Sequence, residues 1–207
     1  MVVFFISLQL PLLLLCSCNS SPQRLPLLGN AVYKQVNGKT DTIYPIVPHF
    51  SFIDQKKQVV NNSTFRNKIY VADFFFISCP TICPIMTASM KRVYDKYTQN
   101  NDVLFISHTI DPKYDTPERL DKYASALNAD HNKWHFVTGD RDSIYKLAEK
   151  GYYSPAHKDT SNQGGYVHSG GLILIDKQGH MRGVYDGTSK EETDKLIEDI
   201  QILIKQG

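Results

Sequence analysis

Long apolar runs are missing from this chain. No stretch approaches the ~20 apolar residues that a membrane-spanning helix requires, and the mean hydropathy is −0.31. The longest candidate, residues 2–15, is interrupted by Gln9 and Pro11. A bundle of spanning helices is therefore excluded. An excess of one charge sign is missing too: Lys plus Arg number 23 against Asp plus Glu 21, for a formal net charge of +2. No block of five basic residues occurs, so the electrostatic footprint of a nucleic-acid binder is absent. Cysteine is scarce, with four in 207 residues, far below the density of a disulfide-held scaffold. A chain of this length buries roughly 70% of its unfolded surface and folds without such staples. The few cysteines are available for chemistry. What is present, 42% apolar, 21% charged and 11% aromatic residues, is the composition of one ordinary folded domain.

Segment 2–15, VVFFISLQLPLLLL, has the length of the apolar part of an export signal. Leu15-Cys16-Ser17-Cys18 follows, with the pattern of a lipid-attachment site. Cys18 suits that role better than Cys16, which would place bulky Leu15 just before the cut. One feature departs from an ordinary export signal: no Lys or Arg precedes the apolar segment. The expected organisation is a lipoprotein-type signal peptide over 1–17, a lipid-anchored tether and N-terminal extension over 18–44, and a folded domain over 45–207. Residues 19–30, rich in Ser, Pro, Asn and Gly, have the composition of a tether. Such a protein belongs to the cell envelope, anchored to a membrane by lipid and facing the extracytoplasmic space (periplasm), where disulfides are tolerated.

Within the domain, Ile69–Ile77 (IYVADFFFI) is a continuous aromatic and β-branched run, the pattern of a central strand buried on both faces. After Pro84, the residues Met86, Met90, Val93, Tyr94 and Tyr97 recur at helical spacing. Cys79 therefore ends a strand and Cys83 opens a helix. Val103–Ile110 predicts a second strand, and Thr116-Pro117 an N-cap and first position of a helix running to about Asn128. A third strand is expected over Trp134–Thr138 and a short helix over Asp140–Lys150, with an irregular segment over 151–167. Gly171–Ile175 and His180–Tyr185 are strands joined by the turn Asp176-Lys177-Gln178-Gly179. Ser189 and Glu192 form a capping box for a last helix bearing Leu196, Ile200 and Leu203. The fold class is α/β: a sheet with helices on both faces, finished by a hairpin and a helix.

With Cys16 and Cys18 at the N-terminal segment, the domain keeps two cysteines, both in Cys79-Pro80-Thr81-Ile82-Cys83. A strand-to-helix turn brings two sulfurs within reach of each other, and a helix N-terminus favours a thiolate. Both metal binding and redox exchange need that thiolate. Of the seven histidines, His168 stands out because it immediately precedes the hairpin; His135 and His157 are alternatives. Two thiolates and an imidazole suit Cu(I), whereas structural zinc prefers four ligands. Asp111 or Asp115 could orient a ligand from behind, although an Asp ahead of a helix more often caps it. Met86 and Met90 match the core stripe of their helix and are expected to pack.

FFFISCPTICP at 74–84, IDPKYDTPERL at 110–120 and VHSGGLILIDKQGHMRGVYDG at 167–187 together resemble the SCO/SenC family of copper proteins, over about residues 47–204. The resemblance implies a thioredoxin-like fold, a copper ion held by Cys79, Cys83 and His168, and a role as a metallochaperone. In that role the chain would help assemble the dinuclear copper site of cytochrome c oxidase, with the copper-binding subunit of that oxidase, or another copper acceptor, as partner. The alternative is an extracytoplasmic thiol-disulfide oxidoreductase acting through Cys79 and Cys83. Val167 departs from the family, where many members carry Asp before the histidine, and this leaves Asp111 as the candidate acidic partner behind the ligands.

Overall fold

The computed structural model describes residues 24–158 and 166–207, with the side chains at 157, 158, 167 and 168 outside that description. The segment expected to be a signal peptide, with Cys16, and Cys18, the residue expected to carry the lipid, lie outside the described residues. Among those described, no helix is long and apolar enough to cross a membrane.

The first strands, β1 (Val32–Val36) and β2 (Lys39–Ile43), form a hairpin whose ten strand residues are all exposed. Asn37 and Gly38 both take positive φ, 52° and 76°, as the tight two-residue turn between right-twisted strands demands. Part of the expected N-terminal extension is thus regular structure, and the Asn-Gly pair carries the signal for it. Strands β3 (Ser51–Asp54) and β4 (Val59–Asn61) follow, too short for alternation to reveal them in the sequence.

Next come β5 (Ile69–Phe75), α1 (Ile82–Tyr97), β6 (Val103–Thr109), α2 (Pro117–Ala126) and β7 (Trp134–Thr138). The three strands are parallel neighbours and wholly buried, which is why they read as unbroken apolar runs. α3 (Arg141–Lys146) passes into a π-turn over Leu147–Gly151. The segment expected to be irregular contains two short strands, β8 (Ala156–Lys158) and β9 (Tyr166–His168), paired antiparallel with each other. β10 (Gly171–Ile175), β11 (Met181–Asp186) and α4 (Lys190–Gln206) complete the domain. The capping box is half present: the Ser189 hydroxyl accepts from the Glu192 N–H at 3.3 Å.

The main sheet has the order β11-β10-β5-β6-β7-β3-β4 and is mixed, with β10, β11, β3 and β4 antiparallel to their neighbours. Successive residues of β5 face opposite sides. Phe75 stacks on Tyr123 of α2 at 5.5 Å, and Phe74 meets Tyr152, just past the π-turn, at 5.7 Å. α1 joins α2 through the Thr87–Tyr123 hydroxyl contact of 2.8 Å, and α4 through the Tyr97 hydroxyl, which donates to the Ile197 carbonyl at 2.6 Å. Helices cover both faces, as expected. The largest buried side chains, Trp134, Tyr152, Phe74, Phe75 and Phe76, each contribute about 1.5–3 kcal/mol by leaving water.

Candidate metal centre

The sheet topology decides which chain ends meet. β5 and β6 are parallel, so Cys79 and Asp111 emerge at the same edge. β10 runs antiparallel to β5, so its beginning, and the His168 segment just before it, return to that edge. Three stretches far apart in sequence converge there because strand direction alternates.

At the first stretch, β5 ends in a turn in which the Cys79 N–H donates to the Phe76 carbonyl at 3.2 Å. α1 then starts at Ile82, which puts Cys83 in its first turn and Pro84 where a missing N–H costs nothing. Thr81 holds the N-cap position but makes no side-chain cap; its hydroxyl lies 3.7 Å from Cys79 Sγ instead. The two sulfurs are unequal. Burial raises the Cys79 pKa, but hydrogen bonds from the Cys83 thiol, from the N–H groups of Thr81 and Cys83, and from the Thr81 hydroxyl outweigh it, and the pKa falls below that of an ordinary thiol. Cys83 goes the other way: burial, proton donation to Cys79, and the negative charges of Cys79 and Asp73 push it well up. Cys79 is the more readily ionised sulfur and Cys83 the thiol that donates to it. Both sulfurs line a cleft of about 460 Å³ that also involves Ile77, Pro84, Tyr123 and Leu127.

The second stretch carries Asp111. Its N–H donates to the Thr109 hydroxyl at 3.0 Å and its carbonyl accepts from the Tyr114 and Asp115 N–H groups; Asp111 and Tyr166 line one cleft. Capping was the more common expectation for Asp111 and Asp115, and neither caps α2, which begins at Thr116-Pro117 with no side-chain cap. Asp115 is fully buried and accepts from the Ile77 N–H at 3.1 Å and the Thr109 hydroxyl at 2.6 Å. It therefore ties the loop before α2 to the backbone two residues ahead of Cys79.

The third stretch brackets position 168. Tyr166 packs its ring on Phe76 at 5.0 Å, three residues before Cys79. On the other side, Gly170 lies against Ile82, the residue before Cys83: a Cβ built on Gly170 would be 3.9 Å from Ile82 Cδ1. The Gly187 N–H donates to the Gly170 carbonyl at 2.8 Å. A Cβ at Gly187 would meet that oxygen at 2.9 Å and Met86 Cγ at 3.2 Å, so only glycine lets the two loops close over α1. Chain on both sides of His168 thus touches the cysteine-bearing turn.

The alternative His135 belongs elsewhere. It is buried on β7 with Nδ1 3.3 Å from Asp54 Oδ2, and its strand pairs with the middle of β6. His157 pairs by its backbone with Val167. Met86 and Met90 are fully buried and pack, as expected. Among the described residues, no group of three or more His, Cys, Asp or Glu side chains gathers for a metal. Two soft sulfurs, one of them the more readily ionised, suit Cu(I); the side chain at position 168 lies outside the described residues. One polar residue was missed in the sequence: Asp73, buried in the middle of β5, whose Oδ1 has no hydrogen-bond partner among the described residues. An acid inside the run IYVADFFFI was the available signal.

A SCO1/SenC family lipoprotein from Bacillus anthracis is similar at 29% identity and TM-score 0.70, over 77% of this chain and 95% of that one. BsSco, described for a disulfide switch and as a member of the Sco family of cytochrome c oxidase assembly proteins, matches at 29% identity and TM-score 0.69, over 78% and 95% of the two chains. Arabidopsis thaliana ScoI with copper bound matches at 24% identity and TM-score 0.63, over 76% and 99%, a likeness of fold. These neighbours share with the chain a thioredoxin-like architecture, a mixed sheet between helices. Matched to the family over residues 38–205, the chain belongs to SCO1/SenC.

Proposed function

We propose that this protein is a copper metallochaperone, lipid-anchored through Cys18, whose cargo is held by Cys79, Cys83 and His168 and passed to the copper-binding subunit of cytochrome c oxidase or another copper acceptor. The observation that carries the reading is the bracketing of position 168 by contacts to Phe76 and Ile82. Support also comes from relatives: one solved with copper, one described as an oxidase assembly protein, and one as a lipoprotein. Cys79 offers a sulfur already inclined to ionise, and Cys83 gives up its proton when its sulfur becomes a ligand. The reduced pair is therefore the loading form. The domain boundary near residue 45 and the extracytoplasmic location belong to the same reading.

In full-length, reduced protein, His168→Ala should lower copper affinity at least about 100-fold, beyond the usual 10- to 100-fold of a lost ligand-orienting group, while disulfide-reductase rate stays within about twofold. Competition titration with a chelator of known affinity reads the first quantity, and reduction of a small disulfide reads the second. Unchanged copper affinity would remove the three-ligand assignment.

The inequality of the two thiols favours thiol-disulfide exchange as a second reading. The Cys79 thiolate attacks a partner disulfide and expels one partner thiolate; Cys83 then attacks the mixed disulfide and releases the other. The partner gains two electrons, and the protein ends with a Cys79–Cys83 disulfide.

A further inference from the structure

Strand direction gives the domain two unlike ends. The cysteine turn follows β5, whereas β5 and β6 begin at the opposite end, and a strand of seven residues sets the two about 23 Å apart. β10 ends and β11 begins at that far end, since Ile175 pairs with both Tyr70 and Met181. Two clefts of about 450 and 550 Å³ open there, beside the last turns of α1 and α4, and they share Lys205. The charged side chains lining them are Arg24, Lys96, Lys177, Arg182, Lys205 and a single acid, Asp176; Gly207 adds a main-chain carboxylate. Asp176 is buried and engaged by Arg182 at 2.8 Å, and Lys177 lies 3.0 Å from Asp102. Arg24, Lys96 and Lys205 are exposed and form no ion pair among the described residues. Lys96 and Lys205 occupy helix C-termini, where a cation offsets the dipole; Arg24 lies in no helix, so dipoles do not account for the cluster. At the cysteine end the balance reverses, with Asp111, Asp140 and Asp142 against Lys113 and Arg141.

The chain also enters the fold at the basic end. Leu25 is buried, its carbonyl and that of Pro26 accept from the Arg182 guanidinium, and the Leu28 N–H donates to the Met181 carbonyl at 2.9 Å. Arg24 stands six positions after Cys18, a span of at most about 22 Å. A lipid on Cys18 would therefore keep this end, and not the cysteine end, next to the headgroups.

We propose that the end bearing Arg24, Lys96, Lys177 and Lys205 lies on the anchoring membrane, its two clefts facing the phosphates of anionic lipids, so that the cysteine turn points away from that surface towards its acceptor. The inference rests on Cys18 carrying the lipid. Each Lys or Arg near an anionic surface strengthens binding about fivefold, so a few cations suffice to orient a domain that is already tethered.

The lipidated protein is reconstituted into vesicles of phosphatidylcholine alone or with about 30% phosphatidylglycerol, and lysine acetylation is followed by mass spectrometry. Phosphatidylglycerol should slow labelling of Lys96 and Lys205 at least about fivefold, and about 1 M salt, where the screening length is about 3 Å, should restore it. Lys113, at the cysteine end, should label equally in both vesicles. In Lys96→Gln with Lys205→Gln, two exposed positions, the protection of Lys177 by phosphatidylglycerol should be lost. Equal labelling of Lys96 and Lys205 in the two vesicles, or protection of Lys113 in their place, would overturn the proposal. So would protection in phosphatidylcholine alone that rises with protein concentration, which would mark the face as a protein contact. The mass of the N-terminal peptide reports separately on the anchor. If Cys18 carries no lipid, the anchoring assignment fails, and the same labelling with vesicles added still reads the charged end.

Discussion

In the metal-free, reduced protein, Cys79→Ser should slow alkylation by iodoacetamide at pH 7 by about two orders of magnitude, whereas Cys83→Ser should change it by no more than about tenfold. Thiolate fraction changes tenfold per pKa unit below the pKa, and the higher intrinsic nucleophilicity of a more basic thiolate restores only about half of that on a logarithmic scale. Burial opposes ionisation of both sulfurs, more so for the deeper Cys83, and donor count widens the difference. Cys79 receives bonds from two backbone N–H groups, the Thr81 hydroxyl and the Cys83 thiol, while Cys83 spends its proton on Cys79. A serine at 83 still donates, so Cys79 keeps most of its reactivity. Cys83→Ser should also accumulate a mixed disulfide with a small aromatic disulfide, because the resolving thiol is gone; mass spectrometry detects it directly. Equal alkylation rates in the two variants would show that the hydrogen bonds to Cys79 do not set its reactivity.

The second large effect concerns stability against pH. His108, fully buried on β6, has no hydrogen-bond partner at either ring nitrogen among the described residues and is enclosed by Phe50, Phe52, Phe74 and Tyr152. Burial drops its pKa from 6.5 to about 3. The native state keeps it neutral while the unfolded chain takes up a proton, so stability is lost as pH falls from 6.5 towards 3, by about 1.4 kcal/mol per pH unit. Asp73 is the mirror case. Burial lifts it from 3.8 to about 7, and stability is lost as pH rises between those values, with the same slope. Between 3.8 and 6.5 the two slopes nearly cancel, and wild type should show a flat profile from this pair.

His108→Phe removes one slope and leaves the other. The variant should gain about 3 kcal/mol on wild type at pH 4 compared with its gain at pH 7. A further gain of about 1–3 kcal/mol should hold at every pH, because two unpaired buried nitrogens disappear. Asp73→Asn should do the opposite and gain on wild type as pH approaches 7. Urea unfolding from pH 4 to pH 8 measures both. Parallel profiles for variant and wild type would mean that neither group stays uncharged in the native core.

Much of the frame was legible because its signals sit in consecutive residues. β5 announced itself as an apolar run, α1 by its spacing and Pro84, the last hairpin by Asp176–Gly179, and α4 by Ser189. The same local rules miscarried where a side chain had a better partner at long range. Thr81 and Thr116 occupy N-cap positions yet make no cap, and the Thr81 hydroxyl turns to Cys79 instead. β8 and β9 were invisible because three-residue strands carry too little alternation to stand out from a loop.

The chain's own order of residues determined the strands, the helices, the two-cysteine turn and hence the family, since hydrophobic period and turn chemistry act over a few neighbouring positions. Only the tertiary structure decided which distant groups serve that turn: that Tyr166 lies on Phe76, that Asp115 holds the Ile77 N–H and not a helix end, and that Asp73 lies near Cys83. Those pairings follow from strand direction and sheet order, which bring positions some ninety residues apart to one edge, and no local pattern encodes that distance.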